Sequence, residues 1–469
     1  MFIGREKELK ELDYLYEQNC FQLFVLYGRR RVGKTALLRE FCKNKKSIFF
    51  SAEQSNERLN LVKFSELIFQ HYDESMLEPF TSLEKALGYI DSRQKEEPLV
   101  VVFDEFPYLA NTNPAILSAL QHLIDHQLQF GKLFLILCGS YMGFMEKEVL
   151  GVKSPLFGRR TAQLHMKSFD YRTSVKFLEG FTNEEKLMLY GAFGGTAMYL
   201  MQVHQELSLA ENIQKAFLKP QGYLYEEPVL LLRQEVQEPG VYCAIIEAIA
   251  GGASKANEIA TKTGEESAKC LKYIKILQEL GMVEKQTPFG EKDSSRRSLY
   301  HLSDFMFRFW YRYVAGNRSL LEMDAGEIVW QRKIKDDYSN YMGLVFERVC
   351  RDYLLYQNSL GRLPILFTEI GGWWGANSRS KEHEQVEIDL VARDGKDYLV
   401  GECKWKNEPL DYGVLSDLRK KADIMTLNRE CTWFVLFSKS GFTDAVLDEA
   451  ERTKDVILVS LEELFQQSL

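Results

Sequence analysis

Two groups of residues have types and spacings suited to chemistry, and they lie near opposite ends of the chain. The first is Gly28-Arg29-Arg30-Arg31-Val32-Gly33-Lys34-Thr35, followed by Ala36. Glycines at both ends of this loop let successive backbone N–H groups turn onto phosphate oxygens. Lys34 would reach the β and γ phosphates, and the Thr35 hydroxyl would ligate Mg²⁺. Asp104-Glu105 completes the set: Asp104 would hold the ion through water, and Glu105 would polarise an attacking water. The second group is Asp389, Glu402 and Lys404, with Glu347 upstream. Hard oxygen donors without His or Cys suit Mg²⁺ or Mn²⁺. A lysine beside them would orient water and stabilise charge during phosphodiester hydrolysis.

The elements around the first group are those its chemistry requires. The apolar run Phe21–Tyr27 predicts a buried strand, and a helix begins at the loop's lysine. Helix N-termini carry partial positive charge, which favours phosphate. Leu99–Phe103 reads as a strand buried on both faces, as in a parallel sheet, with Asp104-Glu105 at its ligand-binding end. Leu133–Leu137 reads as a third strand, ending in Cys138-Gly139-Ser140. Ser140 is a candidate γ-phosphate sensor, and a turn serine is an equal reading. In Ser154-Pro-Leu-Phe-Gly-Arg-Arg160, Arg159 or Arg160 would stabilise phosphate charge, in cis or across a subunit interface, or is simply solvated. Phe2, Ile3, Gly4 and Arg5 would cover an adenine, or act as a hydrophobic staple onto a helix at 6–18.

With "FIGREKEL", "GRRRVGKT", "VVVFDEF", "LCGS" and "PLFGRR", the chain resembles the archaeal-type ATPase family. That is a branch of the P-loop NTPases related to AAA+ and signal-transducing ATPases. The resemblance runs from about Met1 to Leu232. It implies ATP as ligand, a parallel α/β sheet and a helical lid. The family's Gly-Gly-x-Pro turn is here Gly194-Gly195-Thr196-Ala197, without the proline. This departure touches the lid's sensor role and not nucleotide binding.

From Val241 the pattern becomes three helical stretches and two short strands around a charged loop. That is the winged-helix arrangement. Ser254 and Gly264 bound its second helix. Lys269, Lys272 and Lys275 share one side of the third helix, and Lys292, Arg296 and Arg297 sit on the wing. Such cations would meet DNA phosphates on both edges of a groove. The basic excess is small, and protein docking is the competing reading. Few side chains here suit base reading, so contact with the DNA backbone is expected. The aromatic run Phe305–Tyr313 reads as a core helix rather than a base-stacking surface.

Residues Glu387–Trp405 read as a hairpin turning at Asp394-Gly395. In that register Asp389 faces Val400 and Glu387 faces Glu402. Asp389 and Glu402 are then diagonal neighbours, roughly 7–8 Å apart. Period-two alternation places Asp389, Glu402 and Lys404 on one face. The amphipathic stretch Tyr338–Asn358 predicts a helix, with Glu347 on its Leu344, Cys350 and Leu354 side. Helix, hairpin and the order of the following elements resemble the PD-(D/E)XK nuclease superfamily from about Tyr338 to Leu469. The resemblance implies metal-dependent DNA cleavage through Asp389, Glu402 and Lys404.

Composition sets the outer bounds. The 469 residues suit about two to four domains. A net charge of -8 leaves any nucleic-acid surface local. The apolar runs are too short to span a bilayer, and the charged N-terminus does not resemble a secretory signal. The eight cysteines form no CxxC pair, so reduced cytoplasmic thiols are expected. The expected fold class is α/β: a P-loop parallel sheet over 1–170 and a helical lid over 171–235. A winged helix follows over 236–312, a linker over 313–335, and an α/β restriction-endonuclease-like domain over 336–469. The expected function is a cytoplasmic ATPase that binds DNA and cleaves it with Mg²⁺, with a homo-oligomer as an option and no membrane partner. The alternative is a signalling ATPase whose winged helix and silent C-terminal domain only bind partners.

Overall fold

A computed structural model describes residues 2–75, 78–94, 96–377, 384–425 and 430–466. The chain divides into two compact units, Met1–Ser168 with Thr196–Met198, and Phe169–Gly195 with Tyr199–Leu469. Among the described residues, no helix is long and apolar enough to cross a membrane.

In the first unit, helix α1 (Glu6–Glu17) precedes strand β1 (Gln22–Tyr27), and helix α2 (Lys34–Cys42) leads on to β2 (Ser47–Ser51). Strands β3 (Leu99–Asp104), β4 (Leu133–Gly139) and β5 (Ala162–His165) follow, with helix α3 (Ile116–His126) between β3 and β4. The sheet order is β2-β3-β4-β1-β5, and every pairing is parallel. Every residue of β1, β3 and β4 is buried. Helices on both faces explain why these strands are continuous apolar runs. Phe24, Val100, Val102, Phe134 and Ile136 pack with Leu37, Leu38 and Phe41 of α2 and with Leu12 of α1. Each such side chain contributes about 1.5–3 kcal/mol on leaving water.

The second unit includes helix α4 (Asn183–Phe193), opened by a reciprocal cap between Thr182 and Glu185. Helices α5 (Pro239–Ala250), α6 (Ala256–Thr263) and α7 (Ser267–Glu279) precede an antiparallel ribbon, β6 (Val283–Gln286) with β7 (Leu299–Leu302). Helix α8 (Phe305–Tyr313) carries the aromatic run, and Phe305, Phe307, Phe309, Trp310 and Tyr313 are all buried. The Phe309 ring lies 4.8 Å from that of Phe217 and 5.9 Å from that of Tyr341. The Tyr341 hydroxyl donates to the carbonyls of Gly191 and Phe305 at 2.7 and 3.1 Å. The segment expected as a linker spans residues 313–335. They are largely helical, and Leu321, Val329, Trp330 and Ile334 are buried.

Helix α9 (Tyr338–Ser359) leads to strands β8 (Glu369–Ala376), β9 (Gln385–Asp394) and β10 (Asp397–Lys404). Helix α10 (Tyr412–Ile424), β11 (Thr432–Ser438), helix α11 (Asp444–Thr453) and β12 (Val456–Ser460) complete a mixed sheet, ordered β12-β11-β10-β9-β8. The pairings β8–β9 and β9–β10 are antiparallel, and β10–β11 and β11–β12 are parallel. One face packs Val391, Val400 and Leu436 under Leu415 and Leu418 of α10 and Val446 of α11. The other face meets α9, where Tyr353 packs edge-on to Phe437 at 5.9 Å.

Gly195 sits where the chain has no room for a side chain. A β-carbon there would lie 1.9 Å from the Phe169 carbonyl oxygen, whose own N–H donates to the Gly195 carbonyl at 2.7 Å. Gly195→Ala is therefore expected to destabilise the protein by roughly 3 kcal/mol. Denaturant unfolding checks this, and an unchanged midpoint would remove the packing argument.

Candidate nucleotide site and the buried acids of the C-terminal sheet

The loop after β1 is shaped by backbone conformation and close approach. Gly28 (φ 153°) and Gly33 (φ 101°) both lie outside the range that side chains favour, and a β-carbon on Gly28 would sit 2.3 Å from the Met166 carbonyl oxygen. Arg31 shares the left-handed region at φ 70°. Lys34 is buried, and its ammonium donates to the carbonyls of Gly28 and Arg29 at 2.8 and 3.0 Å. The Thr35 hydroxyl donates to Asp104 Oδ2 at 2.8 Å. Loop, helix start and the end of β3 therefore converge on one place. Arg29 donates to the Thr196 hydroxyl at 3.0 Å, and Arg30 to the Tyr108 hydroxyl at 3.1 Å. Val32 is buried in the core beside α2, and the backbone N–H of Met198 donates to the Arg31 carbonyl at 3.4 Å.

Glu105 follows Asp104 in a left-handed conformation (φ 53°), which turns its side chain out of the strand's alternation. Its carboxylate accepts from the Ser140 hydroxyl at 2.7 Å. Its own N–H donates to Asp104 Oδ1 at 3.1 Å. Ser140 is buried at the end of β4, the strand between β1 and β3. Asp104-Glu105 and Ser140, about 35 residues apart in sequence, thus meet at the C-terminal ends of neighbouring parallel strands.

Other expected residues stand differently. Arg159 grips Asp125 of α3 through two contacts of 2.7 Å and donates to the carbonyls of Pro155 and Phe157 at 3.0 and 3.1 Å. This guanidinium holds Asp125 below the usual carboxylate range. Arg159 therefore braces its own loop against α3. Phe2 packs against the sheet core. Arg5 caps α1 in the left-handed region and donates to the Lys167 carbonyl at 2.5 Å and to Glu8 at 3.0 Å. Ile3 and Gly4 complete this packed segment. Asp125 and Tyr108 were not singled out from the sequence, because their partners lie in distant segments.

The C-terminal acids occupy a different arrangement from the expected one. Asp394 pairs with Asp397 and Val391 with Val400, so the hairpin turns at Gly395-Lys396 and the register moves by two residues. Gly395 takes the left-handed position (φ 60°), which it adopts at less cost than Asp394 would. In β9 a bulge sets Asp389 and Leu390 against the single Gly372 of β8. The bulge breaks the alternation, and Ile388 and Val391 both enter the α10-facing core.

Asp389 Oδ2 then accepts from the Cys403 backbone N–H at 2.7 Å. Glu402 is 4% exposed, and lysines surround its carboxylate. Lys404 donates to Oε1 at 2.5 Å, and Lys421 of α10 donates to both oxygens at 3.0 Å. Burial lowers the pKa of Lys404, but Glu402 outweighs it and the net shift is upward. Burial, then the Glu402 charge, lifts Asp389 to about 6. Burial, then the charges of Asp389 and Glu387, lifts Glu347 to about 8. Leu344, expected on the buried side with Glu347, is exposed.

These observations correct the nuclease reading. Among the described residues, no group of three or more His, Cys, Asp or Glu is placed to hold a metal ion. Lys404 and Lys421 hold the Glu402 carboxylate, and Asp389, Glu402 and Glu347 are not gathered into the expected Mg²⁺ site. Lys404 serves as an internal counter-ion. The expectation of metal-dependent cleavage by Asp389, Glu402 and Lys404 is withdrawn.

The basic residues of the helix–ribbon segment also divide. Lys269, Lys272 and Lys275 are exposed on α7, and Lys269 pairs with Glu265 at 2.9 Å. Lys292 and Arg296 are exposed on the loop between β6 and β7. Arg297 is engaged by Glu291 and by the Trp374 carbonyl of β8. The same loop donates the Phe289 N–H to the Gly372 carbonyl at 2.8 Å. Arg297 therefore fastens the loop to the C-terminal sheet. Arg348 of α9 ties in the ribbon through Glu284 at 2.5 Å.

The shift at Glu347 has a direct consequence for stability. Its folded pKa, about 8, exceeds the ordinary 4.5, so the folded state holds the proton more tightly. The associated stability is complete below about pH 4.5 and is lost as pH rises through about 8. Glu347→Gln is expected to flatten the fall in melting temperature across that window. Identical pH profiles for the variant and the parent would refute the assignment.

Comparison with known proteins agrees with the division between the chain's two ends. Residues 2–203 match a family described as an ATPase domain predominantly from Archaea. Residues 310–422 match a family described as "Archaea bacterial proteins of unknown function". A short ATP-binding protein of Methanocaldococcus jannaschii is 50% identical over 46 residues, 10% of this chain and 78% of its own. A solved Walker-type ATPase of Pyrococcus abyssi is 22% identical with a TM-score of 0.49, covering 66% of this chain and 96% of that one. An uncharacterised protein of Methanocaldococcus jannaschii is 31% identical over 469 residues, 99% of this chain and 100% of its own. The chain belongs to the family of that full-length Methanocaldococcus protein, and its N-terminal part is an ATP-binding domain of the archaeal ATPase type.

Proposed function

We propose that the protein is a regulatory ATPase, in which hydrolysis at the N-terminal site changes how the C-terminal part holds DNA without cutting it. One observation carries the reading: the Thr35 hydroxyl lies 2.8 Å from Asp104 Oδ2, between a glycine-bounded loop and a buried lysine. The donor set suits a nucleotide with Mg²⁺. Backbone N–H groups from Gly28 to Ala36 would wrap the phosphates, and Lys34 would exchange its two carbonyl partners for phosphate oxygens. Thr35 and Asp104 would hold Mg²⁺, which when bound neutralises phosphate charge. Glu105 orients the attacking water, and Ser140 holds that carboxylate between turnovers. Arg30 and Arg31 lie on the same loop and would contribute positive charge at its mouth.

Helices α5 to α7 with the β6–β7 ribbon are read as a winged helix. Lys269, Lys272 and Lys275 supply phosphate contacts from α7, with Lys292 and Arg296 beside them. Their exposure leaves them open to DNA phosphates.

Lys34→Ala is expected to weaken ATP binding by about a hundredfold or more. Glu105→Gln is expected to keep ATP affinity and to lower turnover by about 10²–10⁴-fold. Calorimetry and phosphate release separate the two, and parental ATP affinity in Lys34→Ala would end the site assignment. For DNA, replacing Lys269, Lys272 and Lys275 together with alanine should make the dependence of log K on log salt shallower by roughly 2.7, from about 0.9 per lost phosphate contact. An unchanged slope would take DNA off this helix.

A further inference from the structure

The C-terminal sheet also carries a cleft whose lining includes none of the acids described above. Helix α9 crosses the sheet face over β9 and β10 and reaches β11 where Tyr353 meets Phe437. Register places Ile457 and Val459 of β12 on this same face, beside Val435 and Phe437. Strand β12 is an edge, so α9 leaves part of it uncovered. The result is a cleft of about 340 Å³, walled by Trp433, Ile457, Val459 and Leu363. That size is within the usual range for small-molecule sites.

The polar groups of the cleft carry one sign of charge. Arg362 comes from the tight turn after α9, where its N–H donates to the Gln357 carbonyl at 3.1 Å. Lys454 comes from the other wall, at the left-handed end of α11 (φ 61°). Among the described residues, neither side chain has a carboxylate partner. The nearby acids are committed elsewhere. Asp455 pairs with Arg419 at 3.2 Å, and Glu463 accepts from the Ser460 N–H and hydroxyl at 2.6 and 2.7 Å. Buried Gln357 and the Tyr353 hydroxyl add neutral hydrogen-bonding groups.

We propose that this cleft binds a small aromatic carboxylate. Trp433 and Tyr353 offer flat apolar surface to a ring system. The planar guanidinium of Arg362 matches a carboxylate through two parallel hydrogen bonds, and Lys454 adds a point charge from the other wall. The inference stands apart from the ATPase and DNA readings, because it uses none of their residues.

Titration calorimetry on the full chain tests it with two probes of equal shape, indole-3-acetate and the neutral indole-3-acetamide. The acetate is expected to bind at least about tenfold more tightly than the amide. The double variant Arg362→Ala/Lys454→Ala should abolish that difference. Both residues are exposed, so the variant should retain the parental melting temperature, which is measured alongside. Trp433→Leu should weaken both probes together. Absence of binding to the parent, equal affinity for the two probes, or parental acetate affinity in the double variant would each overturn the proposal.

Discussion

The Met166 carbonyl occupies the space where Gly28 would carry a side chain, and the nucleotide site follows from that contact. The approach is close because β5 runs parallel to β1 and ends beside it, with the Met166 N–H donating to the Tyr27 carbonyl at 2.7 Å. With the loop pinned at its first residue, Lys34 is drawn inward onto the carbonyls of Gly28 and Arg29. Thr35 is then set against Asp104. The left-handed turn at Glu105 completes the geometry by aiming a second carboxylate at Ser140. The loop, the start of α2 and the ends of β3 and β4 set the backbone from which these side chains reach. Each is fixed by backbone held in a fully buried parallel sheet.

The C-terminal acids obey a different constraint. A buried carboxylate must be paired, hydrogen-bonded or protonated, since an isolated buried charge costs far more than any of these. All three solutions occur within one small region. Glu402 is paired with two lysines, Asp389 accepts a backbone N–H, and Glu347 keeps its proton into the neutral range. The same residue types at the same spacing can hold a metal or neutralise one another. Lysine placement decides between these outcomes, and Lys421 lies on a separate helix.

This explains what the sequence made legible. Strands β1, β3 and β4 were readable because strands buried on both faces are uninterrupted apolar runs, and the phosphate loop because its chemistry is local. The C-terminal hairpin was readable as a hairpin, and its register was not. The Asp394-Gly395-Lys396-Asp397 sequence allows two turns, and the structure adopts the one with Gly395 first. The bulge at Asp389 left no trace in the pattern of apolar residues, although it re-aims the residue on which the catalytic reading rested. Partners such as Asp125 for Arg159 and Trp374 for Arg297 join distant segments, which spacing alone does not connect.

The attachment of the β6–β7 loop to β8 has a further consequence. Strand β8 is an outer strand, and such strands present unpaired peptide groups that can recruit a strand from another molecule. Here the Gly372 and Trp374 carbonyls are already taken, by the Phe289 N–H and the Arg297 guanidinium. The Phe289 ring also packs against the core beneath. The loop therefore acts as a partial cover, and these two carbonyls are closed to pairing with a strand from another molecule.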